Sequence, residues 1–353
     1  MRRRLERNGV FDQMNIIVDA FGGDHAPQAV IQGAAMAVQQ LGVEITLVGD
    51  EQIIRKTAEE QGTSLLEQIR ILHTDEVFEM HEEPTSILKA HKNCSMAVGL
   101  RALRDDQGDA FVSAGSTGAL VVGATFLAKR SPGIKRAALA PLLPTAKGVS
   151  MLIDCGANAD CRPEMLVQFA LMGSAYMKNV IGVENPAVGL VNIGSEDTKG
   201  RELEIETYHR LQEAPVNFRG NLEAREIPGG EYDVIVTDGF TGNVILKLYE
   251  GMGSFFAHKL KDVFSGVSGK LSAALVLPRI KAFKKQMDYS EVGGAVLMGI
   301  AKPVIKAHGS SDARAFYNAI RQAKACVDEK MIETLTASVA ALQAMEEKKI
   351  ERA

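Results

Sequence analysis

The chain alternates short apolar runs with longer segments whose apolar residues recur at helical spacing. The apolar runs predict strands at residues 15–19, 44–48, 69–72, 109–113, 150–154, 187–193, 232–237 and 303–307. The helical patterns lie between them, at 27–41, 84–104, 117–129, 163–179, 199–213, 241–264 and 312–345. Uniformly apolar strands separated by helices are typical of parallel strands buried on both faces. The pattern therefore predicts an α/β fold with a mostly parallel sheet covered by helices on both faces.

The same pattern suggests how the chain is organised. We interpret residues 14–345 as one large α/β catalytic unit, followed by a tail at 346–353. Residues 1–13 are basic and polar, and a strong strand pattern starts only after Met14, so this extension is expected to be disordered. Residues 255–287 are expected to project from the unit as a basic and apolar helical segment.

Glycines and small polar residues follow the predicted strands at the junctions with the next helices. Six junctions share this composition: VDAFGGDHAP, VSAGSTGA, IDCGANAD, NIGSEDTKG, VTDGFTGN and KAHGSSDA. Open α/β sheets bind ligands at the carboxyl ends of their strands, and the N–H groups that begin the next helix attract anions. The same residue types also cap helices, so one junction alone would be weak evidence. Their recurrence favours a shared anion-binding site at one sheet edge.

Composition and charge argue against several classes of function. A formal net charge of −4 and an aromatic content of 5% argue against binding of nucleic acid. The four cysteines form no CxxC pair and are expected to be free thiols, and no metal-ligand spacing is present. The GxGxxG, Walker A and GxSxG motifs are also absent. We therefore expect no cofactor and no metal.

Residues 259–287 differ from the rest of the chain in charge. They contain seven cations and one acid, Asp262, around the apolar run LSAALVLP. An apolar face with a basic rim suits the surface of an anionic membrane, and it also suits an acidic carrier protein. The alternative is a pair of surface helices packed on the core or on a dimer partner. The residues predicted to contact a membrane or carrier are Lys270, Leu271, Leu275, Leu277, Arg279, Lys281, Lys284 and Lys285.

Taken together, the junction motifs resemble the bacterial phosphate acyltransferases of phospholipid synthesis, the PlsX type. The resemblance runs from about residue 15 to the last long helix, through VDAFGGDHAP, SAGSTGAL, LAPLLPT, DCGAN, VNIGSED, VTDGFTGN, YSEVGGAVLMG and VIKAHGSSD. Two positions depart mildly from that pattern: Phe21, where such proteins usually carry Met, and Ser116, where Asn is expected. The second departure can alter one hydrogen bond to a bound anion.

The resemblance implies a cytoplasmic homodimer that associates peripherally with the membrane. Its fold would be similar to that of phosphotransacetylases and isopropylmalate dehydrogenases. It implies acyl transfer from acyl-carrier protein to inorganic phosphate, giving an acyl-phosphate for a downstream acyl-phosphate:glycerol-3-phosphate acyltransferase. Phosphate would attack the thioester directly, so no acyl-enzyme is expected. Two alternatives remain: a nicotinamide-dependent dehydrogenase of the related fold, and a non-catalytic scaffold recruited to membranes.

Within that reaction, the junction residues receive expected roles. The expected catalytic residues are Asp238, Asn243, Lys306, His308 and Asn158. Lys306 or His308 would bind phosphate or protonate the leaving thiolate, and Asn158 would donate to the oxyanion. Asp238 is the acid–base candidate, with a helix-capping role as its alternative. The expected phosphate- or substrate-binding residues are Gly22, Gly23, Asp24, Ser113, Gly115, Ser116, Thr117, Gly118, Gly239, Thr241, Gly242, Gly309, Ser310 and Ser311.

Other charged residues near the motifs receive weaker assignments. For Asp19 and Asp24, as for Asp238, the two alternative roles are acid–base chemistry and helix capping. Asp154 lies just before the turn that contains Asn158, and it is expected to organise that turn. Lys199 and Arg201 follow the NIGSED motif, where a solvated helix start is favoured over contact with the anion.

Overall fold

The computed structural model describes residues 13–63, 68–264 and 293–350. Most of the expected amino-terminal extension and of the expected basic segment therefore lie outside the described residues, as does the end of the expected tail. The same holds for all of the residues predicted to contact a membrane or carrier: Lys270, Leu271, Leu275, Leu277, Arg279, Lys281, Lys284 and Lys285. Those expectations stay predictions.

The chain divides into two compact units. The first comprises Met1–Ala137 and Gly293–Glu333, and the second comprises Ala138–Val292 and Thr334–Ala353. The division falls inside the range 14–345 that the sequence suggests as one catalytic unit. Whether both units serve one reaction stays a prediction.

The described strands agree with every apolar run that predicts one. In chain order they are β1 (Asn15–Asp19), β2 (Glu44–Gly49), β3 (Ile69–His73), β4 (Ala110–Ser113), β5 (Ala138–Ala140), β6 (Leu142–Thr145), β7 (Gly148–Ile153), β8 (Ala187–Asn192), β9 (Asn217–Glu223), β10 (Val234–Val236), β11 (Ala295–Met298) and β12 (Val304–Lys306). Strands β5, β6, β9 and β11 are not predicted by the sequence pattern. Strands β5 and β11 have only three and four residues, β6 contains a proline, and β9 is polar with an irregular register.

The described α-helices follow the strands closely. In chain order they are α1 (Gln28–Leu41), α2 (Glu51–Glu60), α3 (Ser95–Arg104), α4 (Thr117–Gly123), α5 (Pro163–Tyr176), α6 (Glu202–Glu213), α7 (Gly239–Val263), α8 (Ala313–Asp328) and α9 (Met331–Ile350). Segments of 3₁₀-helix lie at Pro84–Leu88 and Ala224–Gly229. Helices α4 and α5 continue into π-helical turns at Ala124–Lys129 and Met177–Ile181.

The first unit contains strands in the order β3-β2-β1-β4-β12-β11. These strands pair in parallel except β11, which is antiparallel to β12. Strand β1 lies in the interior of this order, and its Ile16, Ile17 and Val18 are completely buried. Helices α1 and α8 pack closely, because a Cβ on Gly33 of α1 would lie 2.6 Å from Cβ of Phe316.

The second unit contains a five-stranded sheet in the order β6-β7-β10-β8-β9. These strands pair in parallel except β6, which is antiparallel to β7. Helix α5 is buried along most of its length, with Phe169 and Tyr176 inaccessible to solvent. Asp233 fixes the start of β8, since its Oδ2 accepts the backbone N–H of Ala187 at 2.7 Å.

Two of the predicted helices are wrong in detail. The pattern at 312–345 predicts one helix, but the structure has two, because Lys330 between them adopts a left-handed backbone with φ of 49°. The pattern at 84–104 likewise merges a 3₁₀ segment with α3. Helical periodicity alone does not register such a local break.

The prediction of a mostly parallel α/β fold is confirmed, with one correction. The strands form two sheets, where the apolar pattern suggested one. In the part of the chain that the structure describes, no helix has the length and apolarity required to cross a membrane.

Candidate active site

The strand-end junctions fall into two groups, one in each unit. VDAFGGDHAP, VSAGSTGA and KAHGSSDA belong to the first unit, whereas IDCGANAD, NIGSEDTKG and VTDGFTGN belong to the second. The expectation of a single sheet edge is therefore wrong. An apolar run indicates that a strand is buried, but it does not indicate which strand pairs with it. The sequence pattern therefore does not show that the junctions belong to two sheets.

In the first unit, a buried polar residue ends each of three neighbouring strands, β1, β4 and β12. Val18 pairs with Val112, and Ser113 pairs with Lys306, so Asp19, Ser113 and Lys306 lie side by side at the carboxyl ends. Asp19 retains 2% of its exposure, Ser113 none and Lys306 9%. The sheet thus places an acid, a hydroxyl and an ammonium in one buried row.

Hydrogen bonds connect this row to the turn before α4. Ser113 Oγ donates to Asp19 Oδ2 at 2.7 Å, and the backbone N–H of Gly115 donates to Ser113 Oγ at 3.0 Å. Lys306 Nζ donates to the carbonyl oxygen of Ala114 at 3.3 Å and to that of Ala307. The turn that the sequence assigns to phosphate is therefore held from both neighbouring strands.

Asp19 experiences opposing electrostatic effects. Burial raises the pKa of its carboxyl above the usual value, because the charged form is poorly solvated. Hydrogen bonds from Ser95, Ser113 and the backbone of Phe21, together with the positive charge of Lys306, act in the opposite direction. Burial is the larger effect, so the pKa of Asp19 stays raised, and these neighbours offset only part of the cost of the charged form.

Close backbone packing explains a glycine in this group. A Cβ on Gly22 would lie 2.6 Å from the nitrogen of Gly115 and 2.8 Å from Asp19 Oδ2. The following turn also contacts the last junction, since the N–H of Asp24 donates to the carbonyl of Gly309 at 2.8 Å. The structure thus brings together three of the predicted binding segments, at 22–24, 113–118 and 309–311.

Two hydroxyls and the histidine of these segments already have protein partners. Ser116 caps α4, with its Oγ accepting the N–H of Ala119 at 3.5 Å. The Nδ1 of His308, which is exposed, interacts with the hydroxyl of Ser310 at 2.8 Å and accepts its N–H at 3.2 Å. Neutral His308 therefore carries its proton on Nε2.

In the second unit, two aspartates follow the adjacent parallel strands β7 and β10. Asp154 is completely buried, and burial raises the pKa of its carboxyl. Its oxygens accept the N–H groups of Leu139 at 2.9 Å, Ala157 at 3.2 Å and Asn158 at 2.7 Å. The side-chain amide of Asn158 also donates to it at 2.9 Å. Asp154 therefore organises the turn, as the sequence suggests, and it holds the expected oxyanion donor Asn158.

Asp238 forms the contacts of a helix cap. Its Oδ1 accepts the N–H of Thr241 at 2.8 Å, and its Oδ2 accepts the Thr241 hydroxyl at 3.1 Å. The same Oδ2 accepts Nη2 of Arg201 at 2.6 Å, and Asp238 itself is buried. These partners favour the capping interpretation over the acid–base one, and a catalytic role for Asp238 stays a prediction.

Arg201 makes contacts with two acids that the sequence does not predict. Its side chain is 63% exposed, yet its guanidinium contacts both Asp238 and the largely buried Glu204. The backbone N–H of Arg201 also donates to Glu204 Oε2 at 2.8 Å. Both acids raise the pKa of Arg201, Glu204 contributing most. A glutamate three residues after a helix start is the signal of such a cap, but no sequence spacing indicates the ion pair with Asp238.

The glycines at the start of α7 allow the helix to approach the turn after β7. A Cβ on Gly239 would overlap the carbonyl oxygen of Asn158, and one on Gly242 would overlap that of Asp154. The N–H of Gly239 donates to the carbonyl of Asn158 at 2.8 Å, and that of Gly242 to the carbonyl of Asp238 at 2.9 Å. Donors that the sequence assigns to phosphate are thus engaged within the protein.

Comparison with known sequences identifies relatives over nearly the whole chain. The sequence model of the family described as "Fatty acid synthesis protein" matches residues 14–334. Phosphate acyltransferase from Alkaliphilus oremlandii is 45% identical over 330 residues, which cover 93% of this chain and 98% of the relative. Phosphate acyltransferase from Bacillus licheniformis is 48% identical over 321 residues, covering 90% and 96% respectively.

Solved structures show the same fold at much lower identity. A phosphotransacetylase from Streptococcus pyogenes superposes with a TM-score of 0.62 at 18% identity, covering 90% of this chain and 94% of its own. The EutD phosphotransacetylase from Staphylococcus aureus gives a TM-score of 0.59 at 17% identity, covering 89% and 94%. At these identities the likeness supports the fold alone.

The fold and the sequence relatives define a class of enzyme: an acyltransferase of fatty acid and phospholipid synthesis. Within that class, the chain belongs to the phosphate acyltransferases of the fatty acid synthesis protein family, the PlsX type. The resemblance inferred from the junction motifs is thereby confirmed. Family membership favours acyl transfer over the dehydrogenase and scaffold alternatives.

The contacts of Arg201 lead to a prediction about stability. Replacing Arg201→Gln leaves the carboxylates of Glu204 and Asp238 without their cation. We expect the free energy of unfolding to fall by about 1–3 kcal/mol, a range that allows for the exposure of the guanidinium. Urea unfolding followed by far-ultraviolet circular dichroism measures the change, because the chain has no Trp for fluorescence.

A matched control lies on α6, the helix that Arg201 precedes and caps. Arg210 pairs with Glu206 in an exposed i,i+4 ion pair, so Arg210→Gln should lower the free energy of unfolding by no more than about 0.5 kcal/mol. Equal effects of the two substitutions would show that Arg201 has no special structural role.

Proposed function

We propose that this enzyme transfers the acyl group of acyl-[acyl-carrier protein] to inorganic phosphate. A phosphate oxygen attacks the thioester carbonyl, the carbon–sulfur bond breaks, and the thiolate of the carrier leaves and takes up a proton. The products are acyl-phosphate and free carrier protein. Family membership supports acyl transfer in lipid synthesis, and the carrier protein as donor is our proposal.

The observation that carries this proposal is the buried ammonium of Lys306. An ammonium is costly to remove from water, yet Lys306 keeps only 9% of its exposure. It lies at the carboxyl end of β12, which is the sheet edge where α/β folds bind ligands. Its position beside the turn after Ser113 suits a doubly charged anion, so we assign it to phosphate binding.

The start of α4 supplies further donors for the same anion. The first N–H groups of an α-helix have no acceptor within the helix, and they carry partial positive charge. In α4 these groups belong to Ser116, Thr117 and Gly118, directly after the turn that Lys306 contacts. Gly309, Ser310 and Ser311 contribute from the neighbouring junction. His308, which belongs to the same unit, is assigned to protonation of the leaving thiolate.

The state of the enzyme thiols supports direct attack by phosphate. Burial raises the pKa of Cys94 to about 11 and that of Cys161 to about 12. The thiolate is the reactive form of cysteine, and it is scarce at neutral pH for such thiols. We therefore infer that no cysteine is acylated and that phosphate itself is the nucleophile.

The central prediction concerns the product and the role of Lys306. With acyl-carrier protein and phosphate, hydroxylamine trapping should detect acyl-phosphate. Replacing Lys306→Met should lower kcat/KM for phosphate by about tenfold to a hundredfold, because hydrogen bonds from a charged group contribute about 1.5–3 kcal/mol. Lys302→Met is the matched control, since Lys302 pairs with the exposed Asp106.

The assay also separates the donor from the acceptor. Replacing acyl-carrier protein with acyl-coenzyme A tests the donor, and arsenate in place of phosphate tests the acceptor site. A well-folded enzyme that forms no acyl-phosphate from carriers of several chain lengths would contradict the proposal. Equal activities of the Lys306 and Lys302 variants would show that the phosphate site is misassigned.

Helix α7 supports the expectation of a homodimer. Phe240, Val244, Leu248 and Met252 recur every four residues along this helix, and all are exposed, Leu248 to 65%. Residues four apart share one face of a helix, and a continuous exposed apolar face is typical of an interface. We propose that a second copy of the chain covers this face.

Replacing Leu248→Glu tests that interface. The wild-type chain should sediment as a dimer in analytical ultracentrifugation, and the variant as a monomer, because the carboxylate would be buried without a partner. Lys247→Gln changes the adjacent exposed position and should leave the dimer intact. A monomeric wild type, or an unaltered dimer in the Leu248 variant, would contradict the proposal.

We also propose that the cytoplasmic enzyme binds anionic membranes peripherally, close to the acyltransferase that consumes its product. This proposal rests on the composition of residues 259–287. The wild type should co-sediment with vesicles that contain phosphatidylglycerol, and Leu275→Glu or Leu277→Glu should weaken this binding. Ser272→Glu adds the same charge at a polar position of the run and serves as the control. Undiminished binding by the well-folded leucine variants would rule out this contact.

A further inference from the structure

Asp19 is the buried charged group of the first unit that the proposed reaction does not use. It ends β1, between the neighbouring strands β2 and β4. Its side chain is too deeply buried to act readily on a substrate. Its hydrogen bond to Ser113 nevertheless reaches the Ser113–Gly115 turn, and its charge acts on Lys306, the two features assigned to phosphate.

The hydrogen bonds have a defined direction. A hydroxyl donates one proton, and its oxygen accepts others. Ser113 Oγ accepts the N–H of Gly115 at 3.0 Å, so its own proton is available for Asp19 Oδ2 at 2.7 Å. The carboxylate thereby orients the hydroxyl, and the hydroxyl in turn fixes the backbone of the turn before α4.

The same carboxylate interacts with Lys306 through its charge. The titratable groups that act on Asp19 or are acted on by it are Lys306 of β12 and Cys94, just before α3. Cys94 is a buried thiol that stays protonated, so Lys306 provides the balancing charge. Ser95 and Ser113 donate from α3 and β4, and the backbone N–H of Phe21 donates at 3.3 Å.

Packing around Gly22 leaves the carboxylate little freedom. A Cβ at this position would lie within about 3 Å of Asp19 Oδ2, of Ser113 Oγ and of the nitrogen of Gly115. The backbone after β1 therefore lies directly over the hydrogen bonds that connect Asp19, the Ser113 hydroxyl and the N–H of Gly115. We call these connected hydrogen bonds the relay. Acid, hydroxyl and turn are consequently held in one arrangement.

We propose that Asp19 is a positioning residue for phosphate: it orients the Ser113–Gly115 turn and serves as the buried counter-charge that keeps the Lys306 ammonium in place. This inference rests on the proposed function, because it takes Lys306 and the turn as the phosphate site. It assigns Asp19 no contact with the reacting atoms. Its loss should therefore affect phosphate binding more than the chemical step.

Replacing Asp19→Asn removes the charge and keeps the shape. We expect the KM for phosphate to rise by about tenfold to a hundredfold while kcat changes much less. The ratio of variant KM to wild-type KM should also increase with pH. A buried ammonium without its counter-charge loses its proton at lower pH, and comparison at equal pH cancels the titration of phosphate itself.

Two further variants keep the test decisive. Ser113→Ala breaks the relay and retains the charge pair, so it should raise the KM for phosphate without the added pH dependence. Asp50→Asn is the control, because Asp50 follows the adjacent strand β2 and only caps α2. If Asp19→Asn fails to fold, the Ser113 variant still tests the relay, and an unchanged KM there would overturn it.

Calorimetry of inorganic phosphate binding to the full chain distinguishes a failure of the Asp19 inference from a failure of the proposed function. If Lys306→Met abolishes binding and Asp19→Asn binds like the wild type, Asp19 is not a positioning residue and the proposed function stands. If Lys306→Met also binds like the wild type, the phosphate site itself is misassigned, and the inference about Asp19 is overturned with it. Parallel losses of kcat and of binding in the Asp19 variant would indicate a general structural role instead.

Discussion

The burial of aspartates at strand ends is the constraint on which the junction motifs of each unit depend. Asp19 ends a parallel strand, Asp154 and Asp238 follow one, and each is almost inaccessible to solvent. A carboxylate removed from water is costly unless donors or a cation replace the lost hydration. The turns after the strands supply those partners, through the Ser113 hydroxyl in one unit and the backbone around Asn158 in the other.

This constraint gives the glycines of the motifs a second explanation besides access for a ligand. Gly22 lies over the Asp19 relay, and Gly242 lies against the carbonyl of Asp154. At both positions a side chain would displace the backbone that satisfies a buried acid. Part of the glycine signature therefore reflects the close packing of backbone around carboxylates, and only part of it reflects access for a ligand.

The sequence predicted the strands that are buried on both faces, because such strands consist of apolar residues. It did not predict the two sheets, since strand order depends on contacts between distant residues. Among the site residues, the row of Asp19, Ser113 and Lys306 was not recognised as a row for the same reason. The role of Arg201 was missed because its partner Asp238 is 37 residues away, and no local spacing encodes that pair.

The two units use similar motifs, but their charges are balanced differently. In the second unit the N–H groups of Gly239 and Thr241 have protein acceptors, and the guanidinium of Arg201 is shared between two carboxylates. In the first unit a buried ammonium, Lys306, lies beside the start of a helix, where N–H groups have no acceptor within the helix. A doubly charged anion gains most from a buried cation that lies beside the donors at a helix start. Burial of a cation therefore distinguishes two sets of junctions that composition alone makes equivalent, and for this reason we place the proposed phosphate site in the first unit.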